Sequence, residues 1–92
     1  MNYTTEAVII QIEAKEYKRK EAVFLATRIH KANHSPGFEW DKAIEGFRLK
    51  FSKEVKEANI LVDEQYPNSP AEDIDWLYII LYFAEQPYNK GE

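Results

Sequence analysis

The sequence predicts an all-α protein, built as a small antiparallel three-helix bundle. Three apolar stretches with helical spacing occupy most of the chain, and the two segments between them each contain a Ser-Pro pair. At 92 residues the chain has room for one domain, so we expect a single helical domain over residues 1–92. Because the connecting loops are short, consecutive helices should run antiparallel.

The first predicted helix covers residues 5–33. Two apolar groups, residues 8–12 and 22–29, flank an interval that is almost wholly charged. No Gly or Pro occurs before Pro36, so one continuous helix is the preferred interpretation. Two alternatives remain open. The first is a short strand over residues 7–12 followed by a helix, and the second is a division of the segment into two elements.

The second predicted helix begins at Phe38 or Glu39 and ends by Tyr66, because Pro67 disfavours helix in the residue before it. Its apolar side chains recur three or four residues apart with Lys and Glu between them, which is typical of an amphipathic helix. This stripe comprises Trp40, Ile44, Phe47, Phe51, Val55 and Ala58, and it continues through Leu61 or Val62 to Tyr66. Gly46 lies inside the helix at a cost of about 1 kcal/mol. We interpret Gly46 as a position where the missing side chain lets a neighbouring helix approach closely.

The third predicted helix, over about residues 70–86, has the clearest boundary signals. Residues 69–72 match a capping box, with Pro70 at the first helical position, and Pro87 closes the helix. Almost every residue from 74 to 84 is apolar or aromatic. The length of this run and the cap favour a helix over a strand.

This third helix carries more apolar surface than two neighbouring helices can cover. One face is enough to bury against them: Ile74, Leu77, Tyr78, Leu81 and Ala84. The other side chains are then left exposed and form the predicted partner-binding site: Trp76, Ile79, Ile80, Tyr82 and Phe83. An exposed patch rich in Trp and Tyr usually marks an interface. The alternative is that a divided first segment wraps the helix completely.

Charge and composition limit the classes of partner. The net charge is −4, with six Lys/Arg against four acids in residues 1–33 and one Lys against five acids in residues 67–92. This argues against a nucleic-acid binder, which would show a basic face. The absence of Cys fits a reducing compartment, so we expect a cytoplasmic protein. Neither a signal peptide nor a stretch of about 20 apolar residues is present, so no membrane association is expected.

Arg28, His30 and His34 lie close together in the sequence near the end of the first predicted helix. His30 and His34 are four residues apart, but no third ligand is identifiable, so no metal site is predicted. Arg28 and His34 are separated by five residues, which is similar to the Arg-x(4–6)-His pattern of the HEPN ribonucleases, themselves small helical bundles. The resemblance covers those two positions, and in that family the motif lies late in a longer chain. It implies that Arg28 would hold phosphate and that His34 would assist proton transfer.

Basic residues also cluster around Tyr17, at Lys15, Lys18, Arg19 and Lys20. Three glutamates interrupt the cluster, so a helix face laced with salt bridges is favoured over phosphate binding. Calcium loops, phosphate-cradling glycine loops and nucleophile elbows are absent from the sequence. We therefore predict no catalytic residue and no cofactor.

Together these patterns predict a small non-enzymatic protein-interaction module. It would act as a regulator, an inhibitor or an immunity- or antitoxin-like protein, and would bind a protein partner or form a homodimer through the aromatic C-terminal helix. A HEPN-like ribonuclease using Arg28 and His34 is the alternative. A weak nucleic-acid-binding accessory using Lys15 to Lys20 is a further one.

Overall fold

The computed structural model describes residues 2–67 and 73–85, and helix is the only regular secondary structure within them. The described residues form five helices: α1 (Tyr3–Glu13), α2 (Glu16–Ala32), α3 (Trp40–Lys50), α4 (Ser52–Gln65) and α5 (Trp76–Ala84). The all-α prediction is confirmed. The described part of the chain has five helices in place of the predicted three, because the first and second predicted helices are each divided.

The first predicted helix divides at Lys15, whose backbone is extended (φ −124, ψ 128). The Lys15 carbonyl accepts hydrogen bonds from the amides of Lys18 and Arg19 at 3.1 and 3.0 Å. In a straight helix the apolar groups around residues 8–12 and 22–26 would lie about 21 Å apart, more than one nine-residue helix can cover. The division lets both groups pack against α5. The continuous helix and the strand alternative were therefore wrong, and the divided segment is found.

The second predicted helix divides at Phe51, which has φ −114 and ψ 28. No Gly or Pro marks this position. The Phe51 amide donates to the Arg48 carbonyl at 3.2 Å, and its buried ring lies 4.9 Å from that of Phe47. The division lets α3 pack on α2 and α5 while α4 packs on α1. From Trp40 to Ala58 the predicted apolar stripe of this segment faces the core on both sides of the break, whereas its continuation at Leu61 and Tyr66 is exposed.

The core forms around α5, which contacts α1, α2 and α3. Its fully enclosed side chains come from every described helix: Val8, Ile9, Ile12, Ala22, Val23, Ala26, Phe47, Phe51, Ala58, Ile79, Ile80 and Phe83. Burying a large apolar side chain contributes about 1.5–3 kcal/mol, so these residues carry most of the stability. None of the described helices is long and apolar enough to cross a lipid bilayer.

The interpretation of Gly46 as a close helix approach was wrong. A Cβ added at Gly46 would meet no atom within 4 Å. The residue lines an open groove between α2 and α3, beside Leu25 and Ile29. Gly37 differs, because its φ of +82 is a backbone conformation that favours glycine.

The third predicted helix begins later than expected, at Trp76. Ile74 and Asp75, which the prediction placed inside the helix, precede it. The predicted capping box at residues 69–72 and the stop at Pro87 lie outside the described residues. Within the described part, Asp75 is the N-cap residue.

Candidate protein-binding surface

Helix α5 is fastened to α1 at both ends by side-chain hydrogen bonds. The Asn2 amide group donates to the Asp73 carbonyl at 2.6 Å, and the Asp75 amide donates to Thr5 Oγ1 at 2.9 Å. At the other end, the Tyr82 hydroxyl donates to a Glu13 carboxylate oxygen at 2.9 Å. The starts of the two helices are thus adjacent, and so are their ends. They run parallel, and α5 is held in a defined position.

The cap of α5 comes from its own sequence. The Asp75 side chain accepts a hydrogen bond from the Tyr78 amide at 3.0 Å, which satisfies one of the free amides of the first turn. The carboxylate also lies at the end of the helix where the dipole favours negative charge. The orientation of α5 therefore rests on a local cap and on contacts with α1.

The predicted binding residues lie mostly on the inner face of this helix. Ile79, Ile80 and Phe83 have no exposed surface. Trp76 and Tyr82 are half-buried and pack against the core, with the Trp76 ring 6.1 Å from that of Phe47. The expectation of exposure was wrong for Ile79, Ile80 and Phe83, because the divided helices supply three neighbours to α5 where the prediction allowed two.

The outer face of α5 carries side chains that were expected to be buried. Leu77 is 45% exposed and Tyr78 is 41% exposed. With the half-buried Leu81 they form a stripe at helical spacing, which we call the outer stripe of α5. Tyr78, Leu81, Tyr82 and Glu85 line a shallow depression of about 430 Å³ at its end. This surface is apolar at its centre, and Asp73, Asp75 and Glu85 are exposed near the ends of the helix.

The chemistry of the two faces explains which one turns inward. Trp76, Ile79, Ile80 and Phe83 have the spacing i, i+3, i+4 and i+7, which makes a continuous stripe. Apart from Trp76, which stays partly exposed, none of these side chains has a polar atom. Burying Tyr78 instead would require a partner for its hydroxyl. The absence of polar atoms from three of these side chains is the signal in the sequence that points to the inner face, because Ile74, Leu77, Tyr78 and Leu81 have the same spacing.

An apolar groove that was not predicted from the sequence lies between α1 and α4. Its volume is about 190 Å³, and the residues lining it include Ala7, Ile10, Leu61 and Val62. At one end the Tyr3 and Tyr66 rings stack with centroids 4.4 Å apart. The stack joins the start of α1 to the end of α4, so these two helices run antiparallel.

Among the described residues, two ion pairs join α2 to other helices, one through Lys18 and one through Glu21. Lys18 Nζ lies 3.9 Å from Glu54 and 3.9 Å from Glu21, and Lys50 Nζ lies 3.1 Å from Glu21. Glu54 is only 4% exposed, and its Oε1 has no hydrogen-bond partner among the described residues. For Lys18, the interpretation as part of a salt-bridged face is confirmed. Binding of nucleic acid through Lys15 to Lys20 stays a prediction.

The residues of the predicted ribonuclease site have separate neighbours. The Arg28 guanidinium lies 5.6 Å from the centre of the Phe24 ring. The His34 ring meets the His30 ring edge-on at 6.1 Å. In the described part of the chain, no hydrogen bond joins Arg28 to His34. The ribonuclease hypothesis stays untested, and no contact in the structure favours it.

Neither a metal-binding cluster in the described residues nor a known relative points to a function. No group of three or more His, Asp or Glu side chains in residues 2–67 and 73–85 could hold a metal ion. Comparison of the chain with known protein families, with curated proteins and with solved structures finds no match. The exposed surface of the chain is therefore the basis for assigning a function.

Proposed function

We propose that this chain is a small non-enzymatic interaction module that binds a protein partner, or a second copy, through α5. The contact surface is the outer stripe of α5, with the partly exposed edges of Trp76 and Tyr82. The three buried members of the predicted site, Ile79, Ile80 and Phe83, have a supporting role, because they hold the helix in the core.

The observation that carries this proposal is the exposure of Leu77 and Tyr78 on a helix that is otherwise apolar. Single exposed apolar residues are ordinary on protein surfaces. Two adjacent ones beside the half-buried Leu81 and the shallow depression form a local apolar patch. Tyrosine is also among the residues that contribute most to binding energy at interfaces.

The anchoring of α5 supports the same proposal. Hydrogen bonds with Asn2, Thr5 and Glu13 hold both ends of the helix, and three of its side chains are fully enclosed. A surface that is rigid before binding loses little conformational entropy when a partner docks. The acidic groups near the helix ends would favour a partner with basic residues at the matching positions.

This mode of action suits a regulator, an inhibitor or an immunity- or antitoxin-like protein. Each of these acts by covering a surface of another protein, which requires a stable, rigid patch and no reactive group. The proposal includes the cytoplasmic location expected from the sequence.

The test replaces the exposed pair while leaving the core intact. The variant Leu77→Glu/Tyr78→Glu should abolish partner binding and keep the helical circular-dichroism spectrum. The matched control is Leu49→Glu/Tyr17→Glu, which changes the same residue types at positions that are 61% and 64% exposed. Wild type and both variants serve as bait for proteins from the native host, and every captured protein is quantified.

A protein that binds wild type and the control but not the α5 variant supports the proposal. If every captured protein binds all three baits equally, the α5 surface is not an interaction site. Sedimentation of the purified chains tests the case of a second copy in the same way. Phe83→Asp is unsuitable here, because it places a charge in the core and unfolds the domain.

A further inference from the structure

Helix α4 presents one side to α1 and leaves the opposite side without a neighbour. Among the described helices, α1 is the one against which α4 packs extensively. Ala58 on the inner side is fully buried, whereas Ile60, two residues later, is 50% exposed. The outer side of α4 therefore carries an exposed branched aliphatic residue at its centre.

The charges on this outer side are largely sorted by sign. Five exposed charged residues lie within about 60° of Ile60 around the helix axis, taking about 100° per residue: Lys53, Lys56, Glu57, Asp63 and Glu64. Both lysines precede Ile60 and both charged residues that follow it are acids, with Glu57, at the edge of this arc, as the exception. None of the five forms an ion pair with another residue in the described ranges.

This order of charges opposes the dipole of the helix. A helix favours acids in its first turn and bases in its last turn. In α4, Lys53 lies in the first turn, while the last turn holds Asp63 and Glu64 and no base. The outer charges thus do not stabilise an isolated α4. An antiparallel copy of α4 on this outer side would bring bases to its acidic end and acids to its basic end.

We propose that the outer side of α4 is the interface of a two-fold symmetric homodimer, in which α4 packs antiparallel to α4 of a second copy. A two-fold axis requires a surface that is complementary to itself. With the axis near Ile60, the two isoleucines approach each other. The lysine end of each helix then lies beside the acidic end of the other. This charge complementarity is the reason for expecting a second copy of the chain on the outer side of α4.

The dimer should be weak and reversible. A helix of 14 residues is about 21 Å long, so one helix pair makes an interface at the small end of the range for proteins. We expect dissociation constants of about 10–500 μM, which corresponds to a transient complex. This inference uses a different surface from the outer stripe of α5, so it extends the proposed function and can fail independently of it.

The test exchanges the charges at one end of α4. Variant A, Lys53→Glu/Lys56→Glu, makes the whole outer side acidic, and variant B, Asp63→Lys/Glu64→Lys, makes its two ends basic. Sedimentation equilibrium should show that wild type dimerises and that A alone and B alone dissociate at least about 10-fold more readily. An equimolar mixture of A and B should form heterodimers at least as tightly as wild type, because opposite charges then meet at both ends.

Two controls separate the interface from general effects. Lys20→Glu/Lys31→Glu makes the same change in net charge as variant A, but at exposed positions of α2. Its dimer dissociation constant should stay within about 3-fold of wild type. Variant A removes a base from the first turn of α4, so its helicity should equal or exceed that of wild type. A loss of dimer in A is then not a loss of fold.

Three results would overturn the inference. They are a wild type that stays monomeric up to about 1 mM, a dimer that A and B leave unchanged, or an A and B mixture that remains monomeric. If Leu77→Glu/Tyr78→Glu dissociates the dimer and variant A leaves it intact, self-association takes place through α5 and the α4 interface is refuted. A partner protein lost only from the α5 variant, with the α4 dimer intact, supports both proposals.

Discussion

Helices α5 and α4 follow each other in the chain but differ in composition and in the number of helices that pack around them. Helix α5 has nine residues with no charge among them, and it lies in the core between α1, α2 and α3. Helix α4 has 14 residues, six of them charged, and it packs extensively only on α1. The more apolar helix has the larger number of neighbours, and the more polar one lies at the edge.

The comparison teaches that apolar content alone does not identify a binding surface. The five predicted binding residues on α5 were expected to be exposed because two neighbouring helices could not cover them. Three neighbours cover most of that face, and the exposed apolar residues of the chain are distributed over several helices. The number of helices around a segment decides what remains exposed.

The largest expected effect comes from removing a core side chain of α5. Phe83→Ala should lower the free energy of unfolding by about 3–5 kcal/mol, since it leaves a cavity where the ring was fully enclosed. Ile60→Ala on the outer side of α4 should cost less than about 1 kcal/mol. Urea denaturation followed by circular dichroism, at concentrations where the chain is monomeric, measures both. Equal losses would contradict the contrast between the two helices.

A smaller effect is expected at the one buried charge of α4. Lys18→Met should lower the free energy of unfolding by about 2 kcal/mol, because it leaves the buried Glu54 carboxylate without its nearest cation. Glu54→Gln removes that charge and should cost less than about 1 kcal/mol. Adding Glu54→Gln to Lys18→Met should recover part of the loss. If the two single variants cost the same and their effects add, the pair does not anchor α4 to α2.

The smallest effect concerns the cap that distinguishes α5 from α4. Asp75→Ala should lower the free energy of unfolding by about 1 kcal/mol, since the Tyr78 amide loses its acceptor. Asp75→Asn preserves the cap and should change stability little. Asp73→Ala is the matched control, because Asp73 contributes its backbone carbonyl and not its side chain to the contact with Asn2. Thermal unfolding of the three variants would show whether the cap or the charge matters.

Much of the fold could be predicted from periodicity. The helical stripe from Trp40 to Ala58 faces the core as expected, and the apolar run in residues 74–84 contains a helix. Division of the first segment was an open alternative, but the positions of the breaks at Lys15 and Phe51 could not be predicted, because neither position has a Gly or a Pro. They exist since a straight helix would hold its apolar groups too far apart to share one core.

The candidate site was harder to predict than the fold. The sequence identified α5 as the most apolar segment, but it did not show which side would be buried. Ile79 and Phe83 face inward because α1, α2 and α3 close around them, while Tyr78 keeps its hydroxyl at the surface. The sorted charges of α4 were in the sequence throughout. Their meaning depended on knowing that α4 packs extensively on α1 alone and leaves its outer side exposed.

The sequence by itself determined the secondary-structure class, the amphipathic stripes and the apolar character of α5, because these depend on local spacing and composition. Only the tertiary structure decided where the long helices divide, which face of α5 is covered and which side of α4 is left free. Those outcomes depend on how many helices converge on each segment, and that number follows from the packing of the chain as a whole.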